Sequence, residues 1–132
     1  MKLKFLALAI IVILVVAVFA VYAGLTYPRA ALSLPVAFTA GVDFTNQEFD
    51  VPFLNDKVQV EVAVESGASL WHAEILSQSE VVWNHTAAQG EQTSYQSGWI
   101  QLPSGSYNFT FGTIGIGSLN AQVTVTSKGG FW

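Results

Sequence analysis

Two hydrophobic rhythms divide the chain. From Phe5 to Leu25 there are 21 residues without a charged or strongly polar side chain, and 14 of them are Leu, Ile, Val or Phe. As a helix this segment spans roughly 31 Å, against about 30 Å for the hydrocarbon core of a bilayer. Each of those 14 side chains favours insertion by roughly 0.3 to 0.6 kcal/mol near the helix centre, so residues 5–25 are expected to contact the lipid bilayer. Lys2 and Lys4 precede the segment and only Arg29 follows closely. The positive-inside bias then predicts a cytoplasmic N-terminus and an extracytoplasmic remainder. Tyr22 and Tyr27 stand where an interfacial aromatic belt is expected, and Pro28 ends the helix. A cleaved signal peptide shares this plan, with small residues at Ala20 and Ala23, but its apolar core usually runs about 7 to 15 residues. The length therefore favours an uncleaved anchor over residues 1–25. A pilin-like helix running on into the globular part is blocked by Pro28 and Pro35.

Residues 26–34, bracketed by prolines, read as a stalk or linker. Beyond them the rhythm becomes alternating. In Lys57 to Glu65 the residues Val58, Val60, Val62 and Val64 face one way, while Lys57, Gln59, Glu61 and Glu65 face the other. That is the pattern of a half-buried strand. The same period recurs at Tyr107, Phe109 and Phe111, and at Ala121, Val123 and Val125. Further strands are predicted over Leu34–Phe44, Glu48–Phe53, Ser69–Leu76, Glu80–His85 and Gly98–Leu102. Turns are predicted at Asn55-Asp56, Ser66-Gly67, Pro103 to Gly105 and Gly115 to Asn120. No stretch after residue 30 carries a helical stripe. The expected fold is mainly β: an N-terminal transmembrane helix followed by an antiparallel β-sandwich, jelly-roll-like, over residues 35–132. Phe38, Phe44, Phe49, Phe53, Trp71, Trp83, Trp99, Tyr107, Phe109 and Phe111 are expected to supply most of its core.

The run from Lys57 to Thr126 has an order of its own. An alternating valine strand is followed by strands carrying Trp71 and Trp83, a polar loop, the motif Leu102-Pro-Ser-Gly-Ser-Tyr-Asn-Phe109, and a closing Val-Thr-Val-Thr strand. This resembles the jelly-roll ectodomains of the Golgi-dynamics (GOLD) type and similar single-pass archaeal proteins, in which a Leu-Pro-x-Gly-x-Tyr turn opens a late strand. The resemblance covers about half the chain and implies a folded module for protein or envelope interaction, with no catalytic residues to carry over. The chain departs from the eukaryotic members, which have a C-terminal span and usually a disulfide, so a trafficking role is not implied.

Composition removes several functions. The 132 residues include 9 acids, 5 bases and no cysteine. Five bases cannot furnish a phosphate-binding surface, so no nucleic-acid partner is expected. A disulfide scaffold is excluded. From residue 30 onward only Lys57 and Lys128 oppose all nine acids, which leaves −7. Such a charge suits an extracytoplasmic surface kept soluble and repelled from anionic headgroups.

Candidate chemistry is sparse. His72 and Glu74 share the polar face of a strand, and Asp43, Glu48, Asp50 and Asp56 cluster ahead of the valine strand. The first pair has a geometry that could bind a metal and that a solvated face explains equally well, the second set does not match a calcium loop, and no metal or cofactor is expected. No Gly-x-Ser-x-Gly elbow is present. Gly112-Thr-Ile-Gly-Ile-Gly117 lacks the lysine and the following helix of a phosphate loop and reads as a hairpin. Two Asn-x-Thr sequons, at Asn84 and Asn108, are candidate glycosylation sites. Tyr95 and Trp99, in and beside a Gln/Ser/Thr-rich loop, are candidate ligand contacts. Phe131 and Trp132 are large apolar rings expected to fold back on the sandwich, meet a partner or enter the membrane interface.

The expected function is that of a non-enzymatic, membrane-anchored module for protein–protein interaction, with a membrane or envelope protein as partner. Two alternatives remain open. One is a sandwich that binds carbohydrate or another ligand. The other is a filament subunit that exchanges a strand, with Ala31 to Phe44 as the candidate donor.

Overall fold

In the computed structural model Val58, Val60 and Val62 are fully buried while Glu61 and Ala63 face solvent, so the period of two does build a sheet with one dry face. The structure describes residues 2–38, 41–67, 70–87, 94–115, 119–130 and 132. Within them the chain forms a helix α1 (Lys2–Thr26) followed by strands β1 (Arg29–Phe38), β2 (Gly41–Val51), β3 (Asn55–Gly67), β4 (Leu70–Ser77), β5 (Glu80–Thr86), β6 (Ser94–Gln96), β7 (Ile100–Gln101), β8 (Gly105–Gly115) and β9 (Leu119–Gly129).

Two antiparallel sheets face each other. One runs β1-β9-β3-β6 with β7 also on β3, and the other runs β2-β8-β4-β5. Successive strands often change sheet, so the chain closes a sandwich and leaves no long run in one layer. The core between the sheets is built from the valines of β3, Val123 and Val125 of β9, Trp71 and Ile75 of β4, and Phe109 and Phe111 of β8. Each such side chain contributes roughly 1.5 to 3 kcal/mol of burial free energy before entropy costs. Within the four-stranded sheet Trp71 of β4 stacks on Phe111 of the neighbouring β8, with ring centroids 5.7 Å apart.

The expected fold class is the one observed, but several boundaries differ. Pairing begins at Arg29, opposite Ser127, so the stretch 26–34 read as a stalk is sheet from its fourth residue. Leu32 and Leu34 are buried there, and their alternation was masked by the prolines on either side. Leu34–Phe44 contains parts of two strands in different sheets, and Glu48 to Val51 closes a strand that starts at Gly41. The donor-strand candidate Ala31 to Phe44 is paired within the chain, 32–38 with β9 after a bulge at Ala31, and 41–44 with β8. Asn55-Asp56 opens β3 instead of forming a turn. The reversal falls at 52–54, where Asn55 N–H donates to Pro52 O at 3.0 Å and Leu54 takes φ 69°. Ser66-Gly67 closes β3, and Gly112 to Gly115 lies in β8, while residues 116–118 lie outside the described residues. Of the rings assigned to the core, Phe44 (68% exposed), Phe53 (75%) and Trp99 (43%) are outside it.

The motif at residues 102–109 has a physical reason. Gly105 takes φ 151°, which a side chain would disfavour, and the buried Tyr107 donates its hydroxyl to Pro103 O at 2.6 Å. The tyrosine thereby ties down the loop that leads into its own strand. Burial pushes its phenol above the ordinary value of 10.0.

Candidate functional site

Two regions bring polar and aromatic groups together. The first is the seam where α1 meets the sandwich. The last four carbonyls of a helix have no partner within it, and three of these four receive side chains from residues beyond the helix. Trp132 Nε1 donates to Ala23 O at 3.1 Å, Arg29 Nη2 to Gly24 O at 2.6 Å, and Asn55 Nδ2 to Leu25 O at 2.8 Å. Thr26 Oγ1, fully buried, donates to Tyr22 O at 2.8 Å and is itself 3.1 Å from Trp132 Nε1. The Trp132 ring meets Tyr27 edge to face at 5.1 Å. Beside the seam opens a cleft of about 630 Å³ lined by Tyr22, Phe53, Leu54, Asn55, Asp56, Pro103, Ser104 and Gly130. The sequence marks Arg29 only as a flanking charge and Asn55 only as a turn residue, and neither as part of a site. A polar residue that opens a strand gives no periodic signal of a helix 30 positions earlier.

The second region is the outer face of the four-stranded sheet. Side chains alternate across a strand, and with Trp71, Ala73 and Ile75 inward on β4, Leu70, His72 and Glu74 point outward. The register places Phe44 of β2 and His72 of β4 on either side of Gly112 of β8. The Phe44 ring covers Gly112, where a Cβ would come within 2.5 Å of it. Val42 and Leu70 are exposed beside it, at 60% and 39%. With Thr86 and Thr113 these residues enclose a shallow groove of about 170 Å³. Its polar rim is an ordered row, in which His72 Nδ1 meets Thr86 Oγ1 and His72 Nε2 meets Glu74 Oε1 at 2.7 Å. The strands of this sheet carry Asp43, Glu48, Asp50, Glu74 and Glu80, five of the nine acids, and neither Lys nor Arg.

The remaining predicted residues scatter. Asn84 and Asn108 are exposed on this same outer face, flanking β4, through the registers Asn84 to Glu74 and Asn108 to Leu76. Tyr95 is half-buried on β6. Its ring lies 3.9 Å from His85 in a near-parallel stack and also approaches Trp71 and Trp83, which makes it a staple between the sheets. Trp99 lies elsewhere, on the outer surface of the five-stranded sheet, with Lys128 Nζ 3.9 Å above its ring. Trp132 folds back on the helix end, and Phe131 lies outside the described residues. No group of three or more His, Asp or Glu side chains that could hold a metal occurs among the described residues.

The fold and the two regions define a β-sandwich that carries an apolar N-terminal helix, the only described one long and apolar enough to cross a membrane. No protein-family model and no curated protein matches the sequence. Among solved structures the chain is similar to the carbohydrate-binding module CBM6cm-2 of Cellvibrio mixtus lichenase 5A, solved with cellotriose. The two share 15% identity and a TM-score of 0.42, over 74% of this chain and 88% of that one. It is also similar to a structure of infectious bursal disease virus, Gx strain, at 14% identity and TM-score 0.40, over 80% of this chain and 32% of that one. A third is the C-terminal CBM6 of LamC, a marine laminarinase from Zobellia galactanivorans, at 12% identity and TM-score 0.33, over 72% and 99%. These likenesses concern architecture alone. Of the resemblance read from the sequence, the N-terminal apolar helix and the β-sandwich stand.

Proposed function

We propose that the chain is a membrane-anchored, non-catalytic interaction module whose working surface is the outer face of the four-stranded sheet, and that its partner is a protein presenting an apolar side chain flanked by basic groups. The observation that carries this reading is Phe44, two-thirds exposed in the middle of an ordered sheet beside the His72–Glu74 pair. A large ring left in water on a rigid face costs free energy in the isolated molecule, and covering it returns that cost. The acids of this sheet, with no lysine or arginine among them, supply the charge complement. The geometry also suits an anchored protein. The groove lies at the Phe44 end of β2, seven residues from Val51, and therefore about 23 Å along the strand from the end where α1 joins.

The test is capture from detergent-solubilised membranes, comparing the full chain with Phe44→Asp. A membrane or envelope protein retained by the wild type and lost with the variant supports the reading. Equal retention by both overturns the assignment of the surface. A ligand-binding reading has one observation of its own, the 170 Å³ groove with a ring as its wall and a row of hydrogen-bonding groups at its rim. Glycan-array binding abolished by the same variant would favour it. Asn84 and Asn108 are proposed as glycan acceptors on the helix-side part of this face, which leaves the groove open. Intact mass before and after glycosidase treatment checks them, and an unmodified chain from a host with the machinery rejects them.

A further inference from the structure

Exposed aromatic side chains gather at one end of the sandwich, and the loops that carry them do not stop at the end of the helix. Phe53, Leu54, Pro103 and Ser104 line a cleft together with Tyr22, which lies four residues, or about 6 Å, before the end of α1. The sandwich thus reaches back past Thr26 along the last helical turn. Phe53 is 75% exposed there, Tyr27 54% and Trp132 40%. The three bases that follow the helix stand at the same end. Arg29 opens β1 against Gly24 O, and Lys57 and Lys128 are direct neighbours across β3 and β9, next to the Asn55 to Gly129 pairing. Aromatic rings at the ends of an apolar span, with cations just beyond them, are the composition of a surface seated at lipid headgroups.

We infer that this end of the sandwich rests in the bilayer interface, with the 52–54 loop and Trp132 inserted at the depth of Tyr22 and the cations of Arg29, Lys57 and Lys128 at the phosphates above them. The occupant of the exposed aromatic patch is therefore lipid. The side-chain caps on Ala23, Gly24 and Leu25 leave no free linker, so the span fixes the depth of the loops. This inference rests on the reading of α1 as a retained anchor, and the experiment separates the two.

The chain has no cysteine, so one introduced thiol takes one label. Nitroxides are placed at Phe53→Cys, at Val15→Cys within the span and at Asp43→Cys at the far end of β2, in full-length protein reconstituted into phosphatidylcholine vesicles with a minor fraction of phosphatidylglycerol. All three side chains are exposed in the isolated chain, so the substitutions leave the core intact. Power saturation with oxygen and with a water-soluble nickel chelate then reads depth. The expected result is an oxygen-to-nickel accessibility ratio above unity at 15 and 53 and below unity at 43. A nickel-accessible label at 53 with a protected label at 15 overturns the seating while the anchor stands. Shielding of position 53 from both reagents assigns the patch to protein and also overturns it. A nickel-accessible label at 15 overturns the anchor and the seating together.

Discussion

The indole N–H of Trp132 donates to the main-chain oxygen of Ala23, 109 residues earlier, at 3.1 Å. This bond belongs to a set in which β1, β3 and residue 132 each supply one donor to the end of α1. Helix ends in water are satisfied by solvent, whereas three carbonyls of this one are satisfied by the domain it carries.

Asn55 tests that coupling. It is 3% exposed and holds both Leu25 O and Phe53 O, so Asn55→Ala removes two hydrogen bonds at once. The expected cost is about 1 to 3 kcal/mol. Trp132→Phe keeps an aromatic ring but loses the N–H and part of the indole surface, the bond alone being worth about 0.5 to 1.5 kcal/mol. Hydrogen exchange read by mass spectrometry should show faster exchange in the last helical turn for both, with the centre of β3 unchanged in Trp132→Phe.

Two glycines should respond oppositely to the same methyl group. At Gly129 a Cβ would lie 2.1 Å from Leu54 O and 2.8 Å from Asn55 Cα, and main chain cannot step aside. Gly129→Ala is expected to destabilise by 2 kcal/mol or more, near the upper part of the roughly 1 to 3 kcal/mol range for overpacking. At Gly112 the obstacle is the Phe44 ring, which is exposed and can rotate away. Gly112→Ala should cost under about 1 kcal/mol and reshape the groove. Denaturant melts of the pair check the contrast.

The β4–β5 hairpin turns on Gln78 and Ser79, with φ 50° and 69°. Both residues are left-handed, as a two-residue primed turn requires, and neither is of the preferred type. Replacing the pair by Asn-Gly should stabilise the fold by about 1 kcal/mol, or roughly 4 to 8 °C in Tm for a domain of this size. An unchanged Tm would show that the strain is absorbed elsewhere.

Tyr107 gives the fold an alkaline limit. Its folded-state pKa is raised above 10.0 by burial, so the native state holds the phenolic proton more tightly than the unfolded chain. That contribution is fully present below about pH 10 and is lost as pH rises toward the folded value. Tyr107→Phe should cost about 0.5 to 1.5 kcal/mol at neutral pH through the lost bond to Pro103 and flatten the alkaline decline. Urea denaturation at a series of alkaline pH values measures both.

The sandwich was legible because its inward positions are apolar at every second residue, as in Val58, Val60 and Val62, or Tyr107, Phe109 and Phe111. The site was less so. Read along the sequence, one strand ends at Phe44 and the next begins at Glu48, which hides that Phe44 lies five residues from the inward Phe49 on a single strand and therefore faces outward. His72 and Glu74 were legible as a pair because both lie on one strand. Asn55 and Arg29 act on a helix that they do not belong to, and Trp132 meets Tyr27 through folding of the whole chain. A pattern read along the sequence holds no record of such meetings.

The caps on α1 also impose an order on biosynthesis. Arg29, Asn55 and Trp132 leave the ribosome in that sequence, so the last helical turn acquires its donors in three instalments. Until the third arrives, Ala23 O lacks its indole partner and the seam is incomplete. A nascent chain halted before β9 would hold its helix by two caps and leave the facing edges of β1 and β3 unpaired.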